Sequence, residues 1–402
     1  MLVIKAGVLI DGKGGEPQRD VAVLVEEGRI AAVGRAHELQ VPAGAQVVEA
    51  PGGTLLPGLI DCHVHIMSHS PRVQDQLATP TTVALFLAAK SLRATLRAGF
   101  TTIRDAGGAE PGLRRAIELG LVEGPRLLVA GAIGQTGTHM QAYYPSGVTL
   151  QHSAIAPAWI ADGVDEVRKA TREALRNGFD LIKICATGGV MSPQDSPDYT
   201  EFTVEEIRAI VEAAAQRGTV VMAHVEGAQG IKNAVLGGVW SVEHCTLLDD
   251  EALDLILSRD VFYVPTLLLP QYIVDHGREQ GMGEYALAKA DRVQKTHVAS
   301  YRKGIAAGAK FALGTDAMGE LHGKNAHELT LMVADGLSPM QAIVAATKTA
   351  AAACRLDDKV GTIEAGKLAD LVLVDGDPLA DISILEQQER LTVFKEGVKV
   401  GA

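Results

Sequence analysis

The sequence predicts a (β/α)8 barrel carrying a small β-sandwich built from both chain ends, and three observations support this. Eight short apolar segments punctuate the middle of the chain. The helical patterns between them repeatedly end at a glycine and run straight into the next apolar segment. The two ends read as strands and turns without helical period. A chain of 402 residues, 47% hydrophobic and with 43 glycines, can bury a core of that size and turn between that many elements.

At the N-terminal end, Val21–Val25 is followed by the turn Glu26-Glu27-Gly28-Arg29 and by Ile30–Val33, a hairpin pattern. Asp11-Gly12 and Gly14-Gly15 mark a further turn. At the other end, Leu371–Val374 and Leu391–Phe394 are apolar runs beside Gly376 and Gly397. Neither end has enough strands to cover a hydrophobic face, so residues 1–56 and 360–402 are expected to pair into one domain around a barrel of residues 57–359.

The barrel strands are expected at 54–61, 101–105, 126–132, 180–184, 220–223, 241–243, 261–266 and 311–314. Gly99, Gly178, Gly218, Gly238 and Gly308 stand at helix–strand junctions, where a left-handed residue closes a helix at little cost. Thr203-Val204-Glu205-Glu206 and Ser338-Pro339-Met340-Gln341 are capping boxes that start helices. Near-continuous apolar strands suit a parallel sheet covered on both faces, and eight such units suit a closed TIM barrel. The competing open doubly wound sheet would want a glycine-rich nucleotide turn after an early strand, and Gly107-Gly108 and Gly188-Gly189 are too short for one.

The formal charge of -12 disfavours nucleic acid as a partner, because phosphate binding needs clustered Lys and Arg. The four cysteines, Cys62, Cys185, Cys245 and Cys354, form no CxxC and read as reduced thiols. No signal-peptide pattern and no membrane-length apolar run stand in the sequence, so a cytoplasmic protein without a membrane partner is expected.

Polar residues recur where the predicted strands end. His63 and His65 close the first, and alternation along a strand puts both on one side. Lys183 lies inside the fourth, His224 ends the fifth, His244 ends the sixth and Asp316 follows the eighth. Strand C-terminal ends converge on one face of a barrel, so residues 250 positions apart can surround one point. Each taken singly has a plain structural explanation; their recurrence at strand ends is what points to a site. An ammonium at Lys183 is costly to bury unless paired, and a cation there would repel a metal. Burial among cations favours the neutral amine, which can add carbon dioxide and become an anionic two-oxygen ligand. Four imidazoles, that carbamate and one carboxylate suit two divalent borderline ions such as zinc. The expected distribution is His63, His65 and Asp316 on one ion, His224 and His244 on the other, and Lys183 between them.

This set resembles the metal-dependent amidohydrolase superfamily over essentially the whole chain. More narrowly, 183–193 (KICATGGVMSP), 101–108 (TTIRDAGG) and 264–267 (VPTL) resemble the branch of Xaa-Pro and Xaa-Arg dipeptidases and ochratoxin-hydrolysing amidases. The resemblance implies a homo-oligomer and a small-molecule or dipeptide substrate. One departure stands out: the branch has Thr-Gly-Gly-His where this chain reads Thr136-Gly137-Thr138-His139. His139 is retained as a substrate contact, while the added Cβ of Thr138 raises the question of a narrowed loop.

The chemistry implied is amide hydrolysis of a dipeptide or N-acyl amino acid. Two metals bring a water near neutrality to hydroxide, and Asp316 serves as base and then acid. Glu226, expected in the loop after His224, and Tyr272 are further candidate substrate contacts. Arg104 reads as structural, and His297, His322 and His327 carry no assignment. Hydrolysis of a cyclic amide or lactone, or of a phosphotriester, uses the same ligands. A barrel that has lost catalysis would be expected to lack some of them.

Overall fold

The computed structural model describes residues 1–145, 147 and 158–401. Its strands fall into two sheets. From the N-terminus come β1 (Leu2–Leu9), β2 (Gln18–Glu26), β3 (Arg29–Arg35) and β4 (Gln46–Pro57). Then follow β5 (Leu59–Val64), β6 (Phe100–Asp105), β7 (Arg126–Gly134), β8 (Ala158–Ile160), β9 (Leu181–Cys185), β10 (Val221–Gly227), β11 (Ser241–Leu247) and β12 (Phe262–Val264). The chain ends with β13 (Leu371–Val374), β14 (Leu391–Lys395) and β15 (Val398–Lys399).

The two chain ends form one sheet in the order β15-β14-β13-β4-β1-β2-β3. Its seam is β4, parallel to β1 with Ile4 opposite Val48, and antiparallel to β13 with Leu55 opposite Leu373. Glu27 and Gly28 take φ of 47° and 78°, the two left-handed residues that a tight β2–β3 hairpin requires. That turn folds back onto the returning chain: the Ile30 amide donates to Lys367 O and the Ala369 amide to Gly28 O, both at 2.8 Å. The sheet thereby closes over Ile4, Val23, Ile30, Leu55, Leu371 and Phe394, a core separate from that of the barrel.

The first predicted barrel strand requires correction. The segment 54–61 is not one strand. Thr54–Pro57 completes β4 in the end sheet, and a new strand starts at Leu59. Gly58 makes the break: a Cβ there would lie 2.2 Å from Thr101 Oγ1, so only glycine lets the chain pass from one sheet to the other. Sequence pattern could not show this, because both halves are equally apolar.

The barrel runs β5-β6-β7-β9-β10-β11-β12, with β8 pairing beside β7. Every neighbouring pair on this path is parallel. The eighth position is filled by 311–317, which bridges rather than forming a regular ladder. Phe311 pairs with Tyr263 on one side and Ala317 with Val64 on the other. The Cys62 amide donates to Leu313 O at 2.9 Å and the Asp316 amide to His63 O at 2.7 Å, which closes the barrel between β12 and β5.

Helices cover the outside for the reasons the pattern gives. The helix Val204–Ala215 begins at a complete capping box on Thr203 and buries Ile207, Ile210, Ala213 and Ala214 at three- and four-residue spacing. The helix after Ser338 has the same cap, with Pro339 at its first turn. All five junction glycines have positive φ, from 70° at Gly218 to 96° at Gly238. Among the described residues no helix is long and apolar enough to cross a membrane.

Candidate metal centre and active-site cavity

Strand periodicity delivers most of the site. On β9, Leu181, Lys183 and Cys185 share one face, and on β10 so do Met222, His224 and Glu226. Lys183, His224 and Glu226 line one cavity together with His63, His65, His139, His244 and Asp316. Of the residues expected to act together, only Tyr272 lies elsewhere. Its hydroxyl donates to Glu320 and its ring leans on His276, while Leu269, Pro270 and Ile273 of the same helix face the cavity. Glu226 is placed in β10 itself rather than in the following loop, and it is 6% exposed.

The imidazoles form a chain. Ring centroids of His65 and His63 are 5.4 Å apart, those of His63 and His244 5.0 Å, and those of His244 and His224 4.6 Å. Asp316 Oδ1 faces this row, 3.5 Å from His63 Nε2 and 3.2 Å from His65 Nε2. His63, His244 and Asp316 can each present one ligand atom with all three within 4.8 Å of one another.

The remaining ring nitrogens are held from behind, which fixes the atom each ring presents. His63 Nδ1 is 2.9 Å from Glu243 Oε2, and His65 Nδ1 is 2.8 Å from Gly107 O. His244 Nδ1 donates to Thr266 Oγ1 at 2.6 Å, since that hydroxyl spends its own proton on Pro265 O. His224 differs: its Nε2 donates to Gly188 O at 3.1 Å and leaves Nδ1 as its free lone pair. Burial, then the cationic field of Lys183 and neighbouring imidazoles, holds His63 well below the ordinary histidine pKa. Burial and its histidine and lysine neighbours do the same to His244 and His224. All three are therefore neutral and have lone pairs to give.

Two details show that this donor set fits a cation. His63 Nε2 and Asp316 Oδ1 are buried, face each other and make no hydrogen bond. Buried polar atoms rarely lack partners, and a metal between them supplies one. Lys183 is 3% exposed, and among the described residues no hydrogen bond or ion pair engages its Nζ. A buried ammonium without a carboxylate is expensive, whereas a carbamate at that point would face neutral imidazoles.

Asp316 reaches the site through Asp61. The Asp61 carboxylate accepts Thr315 Oγ1 at 2.6 Å and Asn325 Nδ2 at 2.8 Å, as well as the Thr315 and His63 amides at 3.1 Å. Burial raises its pKa to about 6 against those four bonds. It ties β5 to the closing segment, and Asp316 then turns in at φ 57°. His244 and Thr266 are also left-handed, at 71° and 53°. Such non-glycine strain gathers at functional sites. At His244 it breaks strand alternation, so that Glu243 and His244 can both serve the barrel interior.

Glu243 is the main residue that sequence reasoning missed. It is fully buried, and its second oxygen takes Arg104 Nη2 at 3.1 Å and the Ser241 hydroxyl. Arg104 pairs with Glu243, not with its neighbour Asp105, and also donates to Cys62 O at 2.6 Å. Asp105 instead accepts the amides of Ile66, Gly107 and Ala109, shaping the loop that receives His65. His297 donates from Nε2 to Pro265 O at 2.8 Å and His322 Nδ1 lies 3.3 Å from Thr95 Oγ1, while His327 pairs with Glu386 and does not line the cavity. The signal for Glu243 was its place beside His244 inside a buried strand, where an acid needs a partner.

The side chain of Thr138 does not reach the cavity. Thr138 has φ -95°, an ordinary extended value, and caps the helix His139–Ala142. Its hydroxyl donates to Gln135 O at 2.8 Å and accepts the Gln135 amide at 3.1 Å, and it does not line the cavity. The residue needing glycine is Gly137, at φ 72°. His139 lies with its ring stacked on His224, 4.5 Å between centroids and 10° between planes.

A barrel with imidazoles, a lysine and an aspartate at its strand ends defines a metal-dependent hydrolase. Residues 54–400 match the amidohydrolase family, and the chain belongs to it. Its named relatives include ochratoxinase, prolidase and imidazolonepropionase, and this chain is a hydrolase acting on carbon–nitrogen bonds. It is similar to the ochratoxinase of Aspergillus niger, 32% identical over 99% of this chain and 86% of that protein. Among solved structures, it resembles a prolidase complexed with N-methylphosphonate-L-proline at a TM-score of 0.94, with 36% identity over 99% of both chains. A Xaa-Pro dipeptidase with methionine bound gives a TM-score of 0.92, with 34% identity over 100% of both chains.

Proposed function

We propose that this chain cleaves the amide bond of a dipeptide or N-acyl amino acid, ochratoxin-type amides included. We also propose that it holds two divalent ions, zinc in the first instance, on His63, His65, His224, His244 and Asp316, with carboxylated Lys183 between them. The observation that carries the reading is the buried pair His63 Nε2 and Asp316 Oδ1, which face each other with no hydrogen bond on either atom, beside a buried Lys183 without an ion pair among the described residues. Membership of a metal-dependent family supports it. Bound divalent ions supply Lewis acidity, which polarises a carbonyl and acidifies water.

The chain's own residues do the rest. Asp316 takes a proton from the attacking water at a carboxylate oxygen and passes it to the leaving nitrogen. Glu243 and Gly107 hold the rings of His63 and His65 so that Nε2 faces inward. His139, held through Nδ1, turns Nε2 to the substrate. Tyr143 accepts Gln76 Nε2 at 3.2 Å, so its own proton is free for a substrate oxygen. Val190, Met191, Leu269, Ile273 and Val293 give an apolar wall for a hydrophobic side chain. The cavity, at ≈ 220 Å³, has room for several waters or for a small ligand that displaces them.

The test is a hydrolysis screen of purified protein after growth with zinc. It covers dipeptides ending in Pro, Arg or a hydrophobic residue and N-acyl amino acids, beside a lactone and an aryl phosphotriester. The expected result is kcat/KM highest on an amide, with metal bound. A preference for the lactone or phosphotriester would overturn the substrate class, and metal-free inert protein would overturn the chemistry. The same preparation, passed through light scattering, tests the homo-oligomer.

A further inference from the structure

The helix Glu284–Ala306 sends one lysine into the loop after β9. Lys289 Nζ donates to three carbonyls of that loop: Gly189 O at 3.0 Å, Ser192 O at 2.7 Å and Asp195 O at 2.6 Å. It also pairs with Asp195 Oδ1 at 3.2 Å. Asp195 is itself almost fully buried, and its other oxygen receives His139 Nδ1 at 2.6 Å and the Gly189 amide at 3.1 Å. One ammonium thus gathers four acceptors, and the loop it closes has three ties to the cavity. Gly188 O fixes the tautomer of His224, Val190 and Met191 line the wall, and Asp195 orients His139.

The packing leaves little slack. A Cβ on Gly189 would fall 2.5 Å from His139 Cε1, so the loop backbone lies directly against the ring. A surface lysine has no need of three backbone carbonyls, and a loop needs only one or two bonds to stay closed. The convergence on the segment behind His139 is what calls for an explanation.

We propose that Lys289 is a positioning residue for hydrolysis, acting through Asp195 to hold His139 against the substrate. This rests on the reading of His139 as a substrate contact. Without the ammonium, Asp195 loses its cation and three carbonyls lose their donor. The loop then shifts, and His139 leaves its stacked place on His224. No atom of Lys289 lines the cavity, so the effect is transmitted and not direct.

The experiment is a double-mutant cycle on the zinc-loaded enzyme with its best dipeptide from the screen. It uses Lys289→Met, His139→Ala and the pair. Each single variant is expected to lose about 10–100-fold in kcat/KM while keeping its zinc, and a Lys289→Met that loses zinc in step with activity would act through Gly188 O and His224 instead and overturn the proposal. In the His139→Ala background, Lys289→Met should cost less than about twofold, since coupled residues do not add. Losses that multiply would overturn the proposal, as would Lys289→Met within about twofold of the parent. If Lys289→Met does not fold, Lys289→Cys alkylated with bromoethylamine restores an amine of nearly the same length, and kcat/KM is read against parent enzyme treated alike, because Cys185 lines the cavity. Recovery of kcat/KM on alkylation supports the proposal, and none in a folded, fully alkylated protein refutes it. Failure of the parent enzyme to cleave any amide would show in the control and overturn the function instead.

Discussion

Replacing Glu243 by glutamine tests whether the site is built from behind. The side chain accepts His63 Nδ1 at 2.9 Å on one oxygen, and Arg104 at 3.1 Å and the Ser241 hydroxyl on the other. Arg104 and Glu243 are both fully buried. Glutamine keeps the volume and removes the charge, so the guanidinium stays in the barrel without a counter-ion. Breaking such a pair costs about 3–5 kcal/mol, a large part of the 5–15 that holds a domain folded. With a urea slope of about 3 kcal/mol/M, the unfolding midpoint falls by roughly 1–1.7 M. The amide can offer only one oxygen. If it serves Arg104, its NH2 meets His63 Nδ1 and forces the imidazole proton onto Nε2, the atom turned toward Asp316. Zinc affinity should then fall about 10–100-fold. Urea titration of metal-free protein and competition with a chromogenic zinc chelator measure the two effects separately. A midpoint shift below about 0.3 M with affinity within about threefold of the parent would refute the assignment of Glu243 to both tasks.

Asp316→Asn should keep the fold and lose about 10²–10⁴ in kcat, the usual contribution of a positioned acid–base; near-normal turnover would remove it from proton transfer. Lys183→Met should leave the thermal midpoint within a few degrees and cut bound metal to one ion or fewer by elemental analysis, so two ions per chain would end the carbamate proposal. His297 and His322 are buried as neutral rings, and burial lowers each to about 4 from an ordinary 6.5. The unfolded chain therefore takes up protons first as pH falls. Their own contribution to stability is full above about 6.5 and declines toward 4, by up to about 2.7 kcal/mol per pH unit for the two. Urea midpoints of the metal-free parent and of a His297→Phe, His322→Phe variant, compared at pH 7.5 and 5, read it as a fall in the parent that exceeds the variant's, and equal falls would contradict it.

Sequence patterns carried far where the physics is local. Capping boxes at Thr203 and Ser338 and left-handed glycines at helix ends depend on a few adjacent residues, and they appear as expected. Period-two alternation put His63 and His65 on one side from their spacing alone, and both line the cavity. Recurrence of ligand-type residues at strand ends then gathered His63, His65, Lys183, His224, His244 and Asp316, because a closed barrel brings all its strand ends to one rim.

Contacts made across the barrel had no such local trace. The step from β4 to β5 at Gly58 depends on Thr101 across the junction, so one apolar run was read where two sheets meet. Glu243, Asp195 and Lys289 take their roles from partners 180, 56 and 94 residues away. Tyr272 faces Glu320 because packing set the rotation of its helix, and Glu226 is buried because β10 runs on past its histidine. Residue types and short spacings determined which chemistry this chain can hold. Only closure of the barrel decided which ring nitrogen each histidine presents and what holds it there, since those choices belong to hydrogen bonds between segments far apart in the chain.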